Sequence, residues 1–435
     1  MHAWGDLFIM SRIVQLWHRI LHWLIRWIYF DRVRLIHPER LPDLECGPIL
    51  FVSLHRNGGT DGLVLRGVFP KITFLISRQL RRGFLARMFF CGIEAIRDRD
   101  HVEGEGSRRD ANRVALEACH LHLAEGGQLA IFPEGTSSLG PRHLPFKSGA
   151  ARILHRFLEE HPGRPITVVP LGFHYERAWA FRSRLEILVG APVRTDLSPA
   201  ISSRQRLNEL KARLHDALEG VAAEFPSQEA QQRGEALAYA ATLGTKTTYT
   251  RALRRFADHV PSRLGAAWDA IDEEARKEKL WRHQGVPLFP LKRIHLLPYL
   301  LYFLLVAPFV ALATLLNLPV LLPAYGIARR KADDRNVIAL IRIMAGFSLA
   351  PFWIGLVAIA AALLGTPSLF LAYLAVSALG FLGTYRFRKL AVIIRNGLCA
   401  PHFGVGVRRF HRLLLDQISH EHYPRNASRE PVVSS

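Results

Sequence analysis

The chain of 435 residues holds only four cysteines, Cys46, Cys91, Cys119 and Cys399, and no two sit at metal-ligand spacing. That excludes a disulfide framework and a cysteine-built metal centre, and it fits isolated thiols in a reducing compartment. Acidic residues are scarce as well: 37 Asp+Glu against 57 Lys+Arg leave a formal charge of +20. Such a surface seeks anions, whether nucleic acid, anionic lipid or a phosphorylated substrate. Two stretches, residues 294–328 and 343–385, lack Asp, Glu, Lys and Arg altogether. Uncharged apolar runs of that length point to a membrane. Because much of the positive charge flanks apolar segments, an anionic lipid surface is the expected partner and nucleic acid is not. Histidine is abundant, but His120 and His122 fall mid-helix without carboxylate or cysteine company. His18 and His22 fall on what reads as a polar helix face, so all four are read as non-ligands and no metal is expected.

Residues 12–30 have helical periodicity: Ile13, Leu16, Trp17, Ile20, Leu24, Trp27 and Ile28 on one side, and Arg12, Gln15, His18, Arg19, His22 and Arg26 on the other. The segment lacks the uninterrupted apolar core and cleavage site of a secretory signal. Tryptophans opposite basic residues describe a helix lying in a membrane interface. From about 32 to 200, short apolar runs (Ile49–Ser53, Ile72–Ser77, Gln128–Phe132, Thr167–Phe173, Leu185–Val189) alternate with helical stretches such as 110–125. That alternation predicts an α/β domain with a mostly parallel sheet flanked by helices. A further amphipathic helix is expected over 202–224.

The expected division is an interfacial helix over 1–31, a catalytic domain over 32–225, a helical connector over 226–291, a membrane-embedded helical region over 292–390 and a basic, polar tail over 391–435. At roughly 20 residues per span, the run 343–385 fits two crossings turning at Gly365-Thr366-Pro367. The run 294–328 is short for two and carries Pro308, Asn317, Pro319 and Pro323, which would break a straight helix. Basic clusters on both sides, Lys292-Arg293 and Arg329-Arg330-Lys331, favour a re-entrant hairpin turning near Asn317.

Two segments carry chemistry. Ser53-Leu54-His55-Arg56-Asn57-Gly58-Gly59-Thr60-Asp61-Gly62 follows a strand-like run. A histidine with an aspartate shortly after it can form a base and its orienting partner, although such a turn is also an ordinary capped loop. Ile131-Phe132-Pro133-Glu134-Gly135-Thr136-Ser137-Ser138 follows another strand, and Phe146-Lys147-Ser148-Gly149-Ala150 then opens a helix. Backbone N–H groups there can meet an anion, or the segment is simply a tight strand-to-helix turn.

Together with Gly92-Ile93-Glu94-Ala95-Ile96-Arg97 and Val168-Val169-Pro170-Leu171, these segments resemble, in order, four blocks of the glycerolipid acyltransferase superfamily. The resemblance covers roughly residues 32–225 and implies a glycerol-3-phosphate acyltransferase-like fold. It implies a catalytic pair His55 and Asp61, and substrate-phosphate contacts from Arg97 or Arg99, Glu134, Gly135, Thr136 and Lys147. It places Pro170 beside the acyl-binding region. The implied donor is acyl-CoA or acyl-acyl-carrier protein, the acceptor a glycerol phosphate, and no cofactor is implied. The expected setting is phospholipid synthesis on a bacterial inner membrane or its equivalent, with the catalytic domain cytoplasmic. A lysophospholipid remodelling acyltransferase or transacylase shares this chemistry, and an inactive lipid-binding protein is the reading from another class. The pattern departs from the family at one point: four residues usually separate His and Asp, whereas here there are five, with Thr60 at the usual position. Gly58-Gly59 can absorb the extra residue, and only a carboxylate stabilises an imidazolium, so Asp61 is the expected partner.

Overall fold

The computed structural model describes residues 12–96, 105–198, 200–290 and 296–420. Its contacts divide the chain into two compact units, residues 1–228 with 304–387, and residues 229–303 with 388–435.

The first unit is built on a seven-stranded sheet. In chain order its strands are β1 (Phe30–Ile36), β2 (Ile49–Ser53), β3 (Ile72–Ser77), β4 (Ile93–Ala95), β5 (Gln128–Ile131), β6 (Thr167–Tyr175) and β7 (Ser183–Val189). Their order across the sheet is β1-β7-β6-β2-β5-β3-β4. All neighbours are parallel except β6 and β7. Strand β2 is buried along its whole length, as a central strand covered on both faces must be. Helices α2 (Gly59–Val68), α3 (Phe84–Phe89), α4 (Glu105–Ala124) and α5 (Gly149–Glu160) lie in the connections between strands, and α6 (Ser203–Glu219) follows β7. Ile49, Phe51 and Leu63 belong to one core cluster; Leu50, Val52, Leu154 and Leu214 belong to another. The alternation along β2 thus divides its side chains between two apolar layers.

The N-terminal segment departs from expectation in two ways. The α-helix α1 (Arg12–Leu24) stops early, loosens into a π-helical turn at Ile25–Tyr29 and runs directly into β1, of which periodicity read the first residue, Phe30, as helix. The carbonyls freed there are taken by one side chain: the Arg182 guanidinium donates to the oxygens of Trp27 (2.6 Å), Ile28 (3.2 Å) and Phe30 (2.6 Å). A helix end left without such donors would be costly. Secondly, His18 and His22 are not on a solvated face. Both are buried, with Leu21, Ile25 and Tyr29, against the sheet domain, while Leu16, Trp17, Ile20, Trp23 and Trp27 are exposed.

Burial, reinforced by the Arg66 guanidinium, pushes His18 down to about 4 and His22 to about 3. A group that binds its proton less readily when folded contributes stability that is complete above its unfolded pKa of 6.5 and declines as pH falls toward the folded values. The thermal midpoint is therefore expected to fall between pH 6.5 and 4. A His18→Leu, His22→Leu double variant should show a shallower slope; an identical slope would assign the acid sensitivity elsewhere.

Two helical hairpins follow, of which residues 304–387 belong to the first unit. Helices α10 (Leu297–Leu316) and α11 (Leu318–Lys331) meet at Asn317, while α12 (Arg335–Leu363) and α13 (Pro367–Cys399) meet at a turn containing Gly365; the intervening α7 to α9 belong to the second unit. Three of these helices, α10, α12 and α13, are long and apolar enough to cross a membrane. Only Asn317 interrupts the first hairpin. Pro319 sits in the first turn of α11, where its missing N–H costs nothing, and Pro308 and Pro323 lie within continuous helices. Asn317 is buried: its Nδ2 donates to Ala313 O (2.8 Å) and Ser377 Oγ (2.9 Å), and Tyr373 donates its hydroxyl to Oδ1 (2.8 Å). The first three turns of α12 are not membrane-like, since Ala339, Leu340 and Ile343 belong to the core of the sheet domain.

The second unit contains α7 (Gln228–Ala241), α8 (Tyr249–Asp258), α9 (Ser262–Lys277), a small hairpin of β8 (Arg282–His283) and β9 (Val286–Pro287), and α14 (Phe403–His420). The segment expected as a polar tail is thus helical as far as His420; residues 421–435 lie outside the described residues. Asn396, fully buried, ties the hairpin down. Its side chain accepts from Trp281 N (2.9 Å) and donates to the oxygens of Trp281 (2.8 Å) and Leu288 (3.2 Å).

Candidate active site

Strands β6, β2 and β5 are adjacent, with Val52 opposite Pro170 on one side and Ile131 on the other. The segments that leave their C-terminal ends therefore converge, which is where parallel α/β sheets handle ligands. His55 follows β2 by two residues, Glu134 follows β5 by three, and Tyr175 ends β6.

The peptide after β2 turns sharply at Gly58, whose φ of +53° disfavours any side chain. Helix α2 then starts at Gly59, so Asp61 lies in its first turn and its carboxylate reaches back over the preceding loop. Oδ2 of Asp61 accepts from His55 Nδ1 (2.9 Å), Arg56 N (2.7 Å) and Asn57 N (2.8 Å), and Oδ1 accepts from the Tyr175 hydroxyl (2.6 Å). Asp61 is completely buried. Four donors converge on it, and with Nδ1 of His55 donating to Asp61, Nε2 is the ring nitrogen left to accept. Burial beside Asp61 raises the Tyr175 phenol well above its ordinary range, so it remains a donor. The His55 ring stacks on Phe132 with centroids 4.3 Å apart, which fixes its plane. Thr60, at the usual family position, is buried, and its hydroxyl has no hydrogen-bond partner among the described residues.

Glu134 occupies a different place from the one expected. Both oxygens of its buried carboxylate are used internally, Oε1 by His55 N (2.6 Å) and Oε2 by Leu144 N (2.8 Å). Burial raises its carboxyl above the usual range, while the two amides oppose that shift. A buried acid is a poor phosphate ligand; this one fastens the His55 loop to the loop before α5. Ser138 N donates to His55 O (3.1 Å) and Lys147 N to Pro133 O (2.8 Å), completing the frame.

His55, Gly135 and Lys147 line one cavity of about 370 Å³. Its apolar wall includes Leu63, Phe74, Leu80, Phe89, Phe90 and Leu116, and Arg66 and Arg152 add cations. Thr136 lies partly buried in the turn beside Gly135. Pro170 does not line the cavity; it is buried in the middle of the sheet, with Gly190 N donating to its carbonyl (2.9 Å). Arg97 and Arg99 lie outside the described residues. Tyr175 was not identified from sequence, and Phe132 was read only as part of its segment, because nothing in one strand's pattern says which residue of another strand it will face.

Residues 32–174 match a family model described as Acyltransferase. An uncharacterized acyltransferase of Schizosaccharomyces pombe is 31% identical over 112 residues, 25% of this chain and 17% of that protein. Glycerol-3-phosphate O-acyltransferase 2 of Saccharomyces cerevisiae is 35% identical over 85 residues, 20% of this chain and 11% of that protein. A probable 1-acyl-sn-glycerol-3-phosphate acyltransferase of Mycoplasma pneumoniae is 27% identical over 151 residues, 33% of this chain and 52% of that protein. The chain thus spans less than a fifth of either yeast protein and about half of the bacterial one. The matched region, residues 32–174, holds both loops built around His55, Asp61 and Glu134, so the candidate site lies in a domain similar to the Acyltransferase family and to glycerol-3-phosphate and 1-acyl-sn-glycerol-3-phosphate acyltransferases.

Proposed function

We propose that the protein transfers a fatty acyl group from acyl-CoA or acyl-acyl-carrier protein to a hydroxyl of glycerol-3-phosphate or 1-acylglycerol-3-phosphate. The observation that carries this reading is the oriented His55–Asp61 pair, 2.9 Å apart, at a cavity lined by both apolar and cationic side chains. His55 Nε2 takes the proton of the acceptor hydroxyl while Asp61 stabilises the imidazolium. The acceptor oxygen attacks the thioester carbonyl, and the tetrahedral intermediate collapses with the thiolate leaving. The imidazolium then returns its proton to that sulfur. Purified protein offered both acceptors and both donor types, with products read by mass spectrometry, tests this. Absence of acyl product in every combination would remove the proposal.

Lys147 and the Gly135 turn are the groups that meet the acceptor's phosphate in this reading. Gly135 has a φ of +69°, and a Cβ there would lie 3.2 Å from the Lys147 side chain. Gly135→Leu is therefore expected to raise the KM for the phosphorylated acceptor about tenfold or more, with a stability cost of roughly 1–2 kcal/mol from the strained backbone. An unchanged KM would place the phosphate elsewhere.

The same reading sets the protein on a bilayer. The exposed Leu16, Trp17, Ile20, Trp23 and Trp27 of α1 lie in the interface, and exposed Phe84 and Leu85 of α3, next to Arg82 and Arg87, dip into it nearby; Trp17 Nε1 donates to Met88 O (3.1 Å). Both hairpins enter and leave from the cytoplasmic side, which keeps Arg329-Arg330-Lys331 and the catalytic loops inside. A single cysteine at position 332 should resist impermeant thiol reagents on intact cells and react after permeabilisation; labelling on intact cells would reverse the topology.

A further inference from the structure

Asn336 lies in the first turn of α12, in the C-terminal hairpin region, yet only 6% of it is exposed. Its Nδ2 donates twice to one residue, to Ser137 O at 2.9 Å and to Ser137 Oγ at 3.0 Å. Ser137 follows the Glu134-Gly135-Thr136 turn, and the next residue, Ser138, donates its N–H to His55 O at 3.1 Å. The same turn of α12 also closes on the other loop. A Cβ at Gly58 would lie 3.0 Å from Asn336 O and 3.7 Å from Val337 Cγ1, and one at Gly59 would lie 3.2 Å from Leu340 Cδ2. The start of α12 therefore lies against both the loop that bears His55 and Asp61 and the loop that bears Glu134. A simple membrane anchor has no need of such contacts.

We infer that Asn336 is a positioning residue for the reaction: by holding Ser137 against the Gly58 turn, the C-terminal hairpin fixes the His55 loop in its working geometry. The inference rests on the acyl-transfer reading. Its chemistry is specific, because both bonds are donated by one amide nitrogen. An aspartate of the same shape would set a carboxylate against the Ser137 carbonyl oxygen and break that bond, leaving only the Ser137 hydroxyl able to turn and donate to it. Displacement of a catalytic loop by an ångström is enough to slow a reaction about a hundredfold without altering what binds.

The test uses the full chain in nanodiscs, with acceptor and donor kinetics measured for wild type, Asn336→Asp and Asn336→Gln. Asn336→Asp is expected to lower kcat on the order of ten- to a hundredfold with the acceptor KM nearly unchanged. Asn336→Gln, which keeps the donor, should recover part of that loss. Where Asn336→Asp does not fold, Ser137→Ala and Asn336→Gln, singly and together, read the same contact. Losses in kcat that are less than additive support it. Wild-type kcat in a folded Asn336→Asp, or strict additivity in the cycle, overturns the inference while leaving the catalytic reading intact. A wild-type protein inactive toward every acceptor removes the catalytic reading itself, and this inference with it.

Discussion

Alanine in place of His55 is expected to lower acyl transfer by roughly a hundredfold or more while the protein stays folded. The size follows from the loss of a cavity-lining imidazole whose Nδ1 is held by Asp61 and whose Nε2 serves as the proton acceptor in the proposed reaction. The survival of the fold follows from what remains. Asp61 loses one of four donors but keeps Arg56 N, Asn57 N and the Tyr175 hydroxyl, so no bare carboxylate is left buried. The His55 peptide N–H still reaches Glu134, because that bond uses the backbone. Single-turnover rates with saturating donor, alongside thermal midpoints, check both halves. A folded His55→Ala protein with near-normal rates would mean that the proton leaves by another route.

A loss of the same order, roughly a hundredfold or more, is expected from Asp61→Asn, and it should be accompanied by reduced stability. The asparagine cannot stabilise an imidazolium. Its NH2 meets donors if it points at the backbone amides of Arg56 and Asn57, and if it points at Tyr175 the phenol must turn its own hydrogen away from the site in order to accept. One such buried clash costs about 1–3 kcal/mol. Thr60→Val is the paired comparison. Its hydroxyl has no partner among the described residues, so exchanging it for a methyl group should change both rate and stability little. If Thr60→Val were the damaging change and Asp61→Asn the mild one, the geometry assigned to the five-residue spacing would be wrong.

The strands of the sheet were legible where apolar runs were bounded by turn residues: β2 and β3 fall where their runs predicted, and β6 extends only two residues further. Strand β1 was not, because Phe30–Ile36 follows a helix without a break and its partner, β7, lies about 150 residues away. The meeting of His55 with Asp61 could be anticipated because both lie in one loop. The donors from β6 and α12 could not, since Tyr175 and Asn336 have no local pattern that marks them. His18 and His22 were misplaced for a related reason. Period 3.6 identifies two faces of a helix, but assigning the polar-looking one to water presumes that histidine is charged, and these two are held neutral by burial.

The polar turn at Asn317 has a consequence for biogenesis. Its carboxamide is satisfied by Ser377 and Tyr373, which are synthesised some 60 residues later. In the topology proposed above, the first hairpin would reach the bilayer before those partners exist, with the Asn317 carboxamide short of acceptors and donors in hydrocarbon. Insertion of α10 and α11 is then provisional until α13 arrives. A nascent chain released before residue 367 should be held by the insertion machinery or degraded, and the second hairpin acts as the latch that commits the first to the membrane.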